Sequence, residues 1–137
     1  MSTRAFITGV SGTELTAAER EFIRAERPWG FILFKRNIAT PAQVAALVAE
    51  LRAVANAPDA PVLIDQEGGR VQRLGPPHWP VYPPGAVFAI LYDSDSALGL
   101  TAARLSARLI AADLADLGIN VDCLPLADVP VQGADAV

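Results

Sequence analysis

The sequence changes character abruptly within residues 62–70, which read Val62-Leu63-Ile64-Asp65-Gln66-Glu67-Gly68-Gly69-Arg70. The three apolar residues are too few for a helix and are typical of a short strand that is buried on both faces. The polar residues and two glycines that follow predict a turn at the carboxyl end of that strand. Ligands of α/β folds bind at this end of the strands, so the stretch indicates both the fold and the place of a site.

Strands and helices alternate strictly along the chain. Short apolar runs predict four strands, at residues 5–10, 31–34, 62–64 and 119–124. Three helices are predicted between them: from a Thr16 cap to Arg27, from a Thr40 cap to the prolines at 58 and 61, and from a cap at Ser94 or Ser96 to Gly118. Because helices connect the strands, the sheet is predicted to be parallel and the fold α/β.

The segment before the third helix is predicted to be a loop. Residues 72–92 contain five of the eleven prolines, between Pro76 and Pro84, and long loops inside compact domains are usually functional. We interpret His78 and Trp79 in this loop as packing residues. The helix that follows carries one apolar stripe at helical spacing, formed by Leu98, Ala102, Leu105, Leu109 and Ala112.

Two architectures fit the alternation of elements. A doubly wound sheet of four strands would be complete at this length, whereas a (β/α)8 barrel of about 250 residues would be roughly half present. The sequence favours the barrel, because residues 125–137 are irregular and show no further helix to cover the fourth strand. We therefore expect the first half of a parallel (β/α)8 TIM-barrel type, with four strands and three helices in one domain of residues 1–137.

Composition and charge exclude several classes of partner. The net charge is −4 without a basic cluster, so no nucleic-acid partner is expected. One cysteine and one histidine cannot form a Cys/His zinc cluster. No apolar run approaches the roughly 18 residues of a membrane span, and the first residues lack the apolar run of a signal peptide. We therefore expect no membrane partner and a cytoplasmic location.

Polar residues follow the predicted strands at their carboxyl ends. They are Lys35, Arg36 and Asn37 after the second strand, Asp65, Gln66 and Glu67 after the third, and Asp122 and Asp128 in and after the fourth. A rim of carboxylates and donors suits a polyhydroxylated ligand, because each sugar hydroxyl both donates and accepts. The alternative is a set of solvated strand ends, which fits Asp65 least because it directly follows three apolar residues.

Three segments in order, at residues 30–37, 64–74 and 117–129, closely resemble the start of bacterial β-N-acetylhexosaminidases of glycoside hydrolase family 3. They read GFILFKRN, IDQEGGRVQRL and LGINVDCLPLADV. The resemblance implies a TIM-barrel enzyme that cleaves terminal β-linked N-acetylglucosamine without a metal or organic cofactor. It also implies a carbohydrate substrate, notably peptidoglycan fragments during cytoplasmic cell-wall recycling.

The resemblance assigns one substrate-binding residue to this chain. Asp65 is expected to accept hydrogen bonds from hydroxyls of the sugar in the cleavage site. Retaining glycosidases need two carboxyl functions around the scissile bond, and the resemblance places an aspartate nucleophile and a His-Asp acid/base pair beyond residue 137. No catalytic residue is therefore expected in the chain. Glu67 and Arg70 are expected to support the turn, paired with each other or with neighbouring strand ends.

Several alternatives remain open from the sequence. A non-catalytic carbohydrate-binding module would keep the same rim, another family 3 enzyme such as a β-glucosidase would share the barrel, and a small doubly wound nucleotide binder would use Gly9 and Gly12. Asp93 and Asp95 are interpreted as capping residues of the third helix rather than as metal ligands. Cys123 is interpreted as an inert residue of a buried strand.

Overall fold

The computed structural model describes residues 2–126 of the chain. The elements follow one another as β1 (Arg4–Thr8), α1 (Ala17–Glu26), β2 (Pro28–Leu33), a single 3-10 turn (Lys35–Asn37), α2 (Pro41–Ala55), β3 (Val62–Ile64), β4 (Gln66–Gly68), β5 (Val71–Gln72), α3 (Gly85–Ser94), α4 (Ser96–Asp116) and β6 (Val121–Asp122). All four strands predicted from the sequence are present, with shifted ends for all but β3.

Four strands form one parallel sheet in the order β1-β2-β3-β6. Phe31 is in register with Val62, and Ile64 is in register with Asp122. A doubly wound sheet reverses its strand order near the middle, whereas these strands lie side by side in chain order. Neighbouring strands of a (β/α)8 barrel have this sequential order, so the predicted α/β class and the choice of the barrel type are confirmed.

One apolar core joins the helices to one face of the sheet. Val62 and Ile64 are fully buried in it, together with the stripe of α2 that includes Val44, Leu47, Val48 and Leu51. Successive residues of a strand point to opposite faces, so Leu63 and Asp65 lie on the other face, which is the interior face of a barrel. The burial of the helix-facing residues thus determines the side of the sheet from which Asp65 projects.

The two predicted N-terminal caps are present. The Thr16 side chain accepts from the backbone N–H of Glu19, and the Glu19 carboxylate accepts from the Thr16 N–H at 2.8 Å, which is a complete capping box. Thr40 caps α2 by accepting from the Gln43 N–H at 3.2 Å. The Gln43 side chain adds a second bond across this turn, because its oxygen accepts from the Ala39 N–H at 2.9 Å.

The prediction of a loop over residues 72–92 is wrong for its second half. Helix α3 (Gly85–Ser94) begins after Pro84, which makes no side-chain capping hydrogen bond, so its start carries no capping signal. The helix instead packs on α4, where a Cβ atom at Gly99 would clash with the backbone of Tyr92. The described residues therefore contain four α-helices rather than the three expected. No helix within residues 2–126 is long and apolar enough to cross a membrane.

Helix α4 is capped by an expected aspartate but differs from the expectation in its buried face. The cap is Asp95, one of the two aspartates interpreted as capping residues, rather than Ser94 or Ser96. Its carboxylate accepts from the N–H groups of Ala97 and Leu98 at 3.0 and 3.1 Å. Its core residues are Ile110 and Leu114. The leucines of the predicted apolar stripe are more than half exposed, namely Leu98, Leu105 and Leu109.

Candidate substrate-binding site

Asp65 directly follows β3 and is partly buried at the carboxyl end of the sheet. Its Oδ2 accepts from Nη2 of Arg73 at 2.6 Å, and the two side chains keep 21% and 28% of their surface exposed. A charge-assisted hydrogen bond of this length is strong and directional. The ion pair therefore presents an ordered carboxylate and an ordered guanidinium side by side at the rim, where both retain contact with solvent.

A hairpin returns the chain so that Arg73 reaches Asp65. Strands β4 and β5 pair antiparallel across a turn in which Gly68 and Gly69 have φ angles of 85° and 58°. These left-handed conformations favour glycine, and a Cβ atom at Gly68 would also overlap the carbonyl oxygen of Pro83. The double glycine is therefore required both by the turn and by the chain packed above it.

Gln66 lies at the base of the hairpin and is almost fully buried. Its side-chain oxygen accepts from the backbone N–H groups of Arg73 and Leu74, each at 2.9 Å. Its amide nitrogen donates to the carbonyl oxygen of Leu74 at 3.0 Å. The side chain thus binds the returning strand directly next to the Asp65–Arg73 pair.

The segment after the hairpin is held by Gln72 and Tyr82. The amide nitrogen of Gln72 donates to the carbonyls of Leu74 and Pro80 at 2.6 and 2.7 Å, and its oxygen accepts from the Tyr82 N–H at 3.0 Å. The Tyr82 hydroxyl donates to Asp113 of α4 at 2.6 Å. Burial and the Asp113 carboxylate raise the pKa of Tyr82 to about 12, so the phenol stays a proton donor at neutral pH.

Cations gather at the end of β2, on one side of the ion pair. The guanidinium carbon of Arg36 lies 4.7 Å from the ring centre of Phe34, and that of Arg73 lies 6.0 Å from the same ring. Lys35 donates to the carbonyl of Arg73 at 3.1 Å. Asn37 is fully buried and donates to two carbonyls of the segment after β1, so its role is structural.

Carboxylates gather on the other side of the pair, towards β6. Asp122 accepts from the backbone N–H of Gln66 at 3.0 Å. Burial, which is the largest cause, acts together with the Glu67 and Asp65 carboxylates to raise the pKa of Asp122 to about 6, although the hydrogen bond from the Gln66 N–H opposes this rise. Partial burial of the sulfur atom and the neighbouring Asp65 carboxylate likewise raise the pKa of the Cys123 thiol, although the residue as a whole is exposed. Cys123 is exposed, so its prediction as a buried strand residue is wrong.

The remaining residues named from the sequence have different outcomes in the structure. Within the described part of the chain, no ion pair joins Glu67 to Arg70, because Arg70 lies exposed at the tip of the hairpin and Arg73 is the arginine that returns to the sheet. His78 is exposed and packs edge-on against the buried Trp79. Asp128 lies outside the described residues.

Arg73 is the residue of the site that the sequence interpretation missed. The signal for it is present, because two glycines follow Asp65 closely and predict a reversal that brings a later residue back beside it.

The family model described as "Glycosyl hydrolase family 3 N terminal domain" matches residues 6–136. The chain belongs to this family. The resemblance stated from the three segments is therefore confirmed.

The family 3 chain is similar to two named proteins over most of its length. It is 39% identical to a beta-hexosaminidase of Xanthomonas campestris pv. campestris (strain B100) over 90% of this chain and 37% of the relative. Crystal structures of NagZ from Neisseria gonorrhoeae superpose with TM-scores of 0.86 and 0.83 at 29% identity, the second as a complex with N-trifluoroacetyl-D-glucosamine. They cover 93% and 90% of this chain and 38% and 36% of the NagZ chain.

A third similar protein is a glycoside hydrolase family 3 beta-N-acetylglucosaminidase from Paenibacillus sp. str. FPU-7. It is 35% identical, with a TM-score of 0.73 over 88% of this chain and 22% of that chain. The chain therefore spans less than two fifths of the length of each of these relatives. The superpositions agree with the partial-barrel fold.

Proposed function

We propose that the protein containing this chain hydrolyses the glycosidic bond of terminal β-linked N-acetylglucosamine. The Asp65–Arg73 pair at the carboxyl end of the family 3 sheet carries the proposal. Support comes from relatives named beta-hexosaminidase and beta-N-acetylglucosaminidase, and from a similar NagZ that binds an N-acylated glucosamine. A role in peptidoglycan recycling and a cytoplasmic location are part of the same proposal and rest on the family resemblance.

The pair has the chemistry to bind a sugar. An ionised Asp65 carboxylate accepts hydrogen bonds from two hydroxyl groups, and the Arg73 guanidinium donates to hydroxyl oxygens. Because Arg73 already holds one carboxylate oxygen at 2.6 Å, the two groups offer acceptors and donors with a defined spacing. This arrangement orients one edge of a pyranose ring, and orientation of the ring is what a catalytic group elsewhere in a barrel requires.

We place the chain at the N-terminal part of a single barrel domain, with the catalytic residues outside it. A retaining glycosidase needs two carboxyl functions about 5 Å apart on either side of the bond. Asp65 is engaged by Arg73, and Glu67 is only two residues further along the same hairpin, so these two carboxylates do not flank a bond between them. In this proposal, residues 1–137 supply binding groups and the rest of the barrel supplies the nucleophile and the acid/base group.

The test compares two aryl glycosides on the full-length protein. We expect release of p-nitrophenol from the N-acetyl-β-D-glucosaminide with a kcat/KM at least about a hundredfold above that for the β-D-glucoside. A preference for the glucoside would assign the protein to the β-glucosidases of the same family. Binding of N-acetylglucosamine without turnover of either substrate would instead indicate a carbohydrate-binding module.

A further inference from the structure

Within residues 2–126, Gln66 is one of two buried polar residues, and its side chain is not explained by the sugar contacts proposed above. Its exposed fraction is 1%. Burial of an amide costs free energy unless the amide finds hydrogen-bond partners. The partners of Gln66 therefore show what this burial stabilises.

All the partners of the Gln66 side chain belong to two consecutive residues, Arg73 and Leu74. The side-chain oxygen accepts from both backbone N–H groups, and the amide nitrogen donates to the Leu74 carbonyl. Because two backbone N–H groups can bond only to the oxygen, the orientation of the amide is unambiguous. The contact is therefore specific to the point where the hairpin returns to the sheet.

Gln66 links the Arg73–Leu74 backbone to the strand end that carries Asp65. Gln66 follows Asp65 in sequence, and its own N–H donates to Asp122 at the end of β6. One end of the residue is thus anchored to the sheet beside Asp65, and the other end holds the backbone from which the Arg73 side chain extends. We infer that Gln66 is a positioning residue that sets the distance between the Asp65 carboxylate and the Arg73 guanidinium.

This inference rests on the proposed function, because the pair is positioned for a sugar. A positioning role differs from general support of the loop in its expected consequences. Gln72 offers the comparison, because its side chain also makes three hydrogen bonds to the backbone of this segment. Those bonds go to Leu74, Pro80 and Tyr82, and none goes to the backbone N–H of Arg73.

The first experiment compares Gln66→Met with Gln72→Met in the full-length protein. Gln66→Met is expected to raise both the KM for the aryl N-acetylglucosaminide and the Kd for N-acetylglucosamine about tenfold, because the site loosens. Both substitutions are expected to lower the Tm by a similar amount. Gln72→Met, however, is expected to change the KM and the Kd by less than about threefold. Equal effects of the two substitutions on the Kd would overturn the inference.

A shorter side chain covers the case in which Gln66→Met fails to fold. Gln66→Asn keeps the amide but is one methylene shorter, so its oxygen no longer reaches the Arg73 N–H. It is expected to raise the KM and the Kd about tenfold, whereas Gln72→Asn is expected to change them by less than about threefold. A Kd for Gln66→Asn within about threefold of the parent value would contradict a positioning role.

The second experiment needs no sugar and separates this inference from the proposed function. A double-mutant cycle with Asp65→Ala and Arg73→Ala measures the coupling of the pair in the unfolding equilibrium. In the parent, we expect the combined effect of the two substitutions on the unfolding equilibrium constant to differ by at least about threefold from the product of their separate effects. In the Gln66→Met background, we expect no such difference. Equal coupling in both backgrounds, or none in the parent, would overturn the inference. Failure to hydrolyse the glycoside would refute the proposed function and leave the result of the cycle valid.

Discussion

The Asp65 side chain is partly exposed and forms an ion pair with Arg73. Its negative charge strengthens the hydrogen bonds that it would accept from sugar hydroxyls. We predict that Asp65→Asn in the full-length protein lowers kcat/KM about a hundredfold. The substitution keeps the shape of the side chain, but it weakens hydrogen bonds to a charged acceptor, each worth about 1.5–3 kcal/mol. Steady-state kinetics on the aryl N-acetylglucosaminide measures the effect.

Glu67→Gln is the matched control for this substitution. It removes a carboxylate from the same hairpin at a residue that the proposed site does not use, so its kcat/KM should stay within about threefold of the parent value. If Asp65→Asn behaved in the same way, the acidic rim would be a set of solvated strand ends.

Glu19 gives a second prediction at the scale of one residue. Burial alone would raise its pKa, but hydrogen bonds from Thr16 and Ser11 outweigh burial and lower the pKa of Glu19 to about 2. A lowered folded-state pKa stabilises the fold above the unfolded value near 4.5, and this stabilisation is lost as the pH falls towards 2. Glu19→Gln should therefore lower the unfolding free energy by about 1 kcal/mol at pH 7, with a smaller difference at pH 3.

Urea denaturation of the full-length protein at the two pH values measures this difference. Glu21→Gln on the exposed side of the same helix is the control and should change stability by less than about 0.5 kcal/mol at either pH. A Glu19→Gln effect that did not shrink at low pH would assign the stabilisation to side-chain shape rather than to charge.

At the scale of the element, the β4–β5 hairpin depends on the conformation of Gly68. We predict that Gly68→Ala lowers the unfolding free energy by more than about 2 kcal/mol and reduces kcat/KM at least about tenfold. The new methyl group would meet the Pro83 carbonyl at a φ angle of 85°, so the hairpin must shift and carry Arg73 with it. Denaturation and steady-state kinetics provide the two measurements.

Gly12→Ala is the control for this element, because a Cβ atom there would meet no atom within 4 Å. It should change stability by less than about 0.5 kcal/mol and leave kcat/KM unchanged. A tolerated Gly68→Ala would show that the turn adapts without moving the ion pair.

At the scale of the whole molecule, the sheet has two strands with one neighbour each. Within residues 2–126, β1 pairs only with β2 and β6 pairs only with β3. A groove of about 670 Å³ is lined by residues of β6, of α4, including Ala107 and Ala111, and of the segment before β3. Together with the exposed leucines of α4, these features leave unpaired backbone groups and apolar surface open to solvent.

We therefore predict that residues 1–137 expressed alone associate in solution and do not hydrolyse an aryl N-acetylglucosaminide. The unpaired backbone groups of open sheet edges can pair with those of another copy of the chain. In the proposed function, the nucleophile and the acid/base group lie outside residues 1–137. Light scattering after size exclusion measures the mass, and an end-point assay measures turnover. A monomer with a sharp thermal transition above about 60 °C, or turnover that persists through repurification, would contradict the prediction.

Local signals made several elements predictable from the sequence. Strand β3 was predicted with its observed bounds, because three apolar residues stand between a proline and a polar turn. Thr16 and Thr40 marked the starts of α1 and α2, since a capping side chain bonds within its own turn. Helix α3 was missed for the converse reason, because it has no side-chain cap and depends on packing against Gly99 of α4.

The sequence by itself determined the alternation of strands and helices, the parallel sheet and the place of Asp65 at a strand end. Each of these depends on spacing or on contacts between near neighbours. Only the tertiary structure decided that Arg73 rather than Arg70 reaches Asp65, and that Cys123 is exposed beside it. Those outcomes depend on the path of the hairpin, the reach of the buried Gln66 side chain and the register of β3 with β6. Contacts between residues distant along the chain set all three, and no local pattern encodes them.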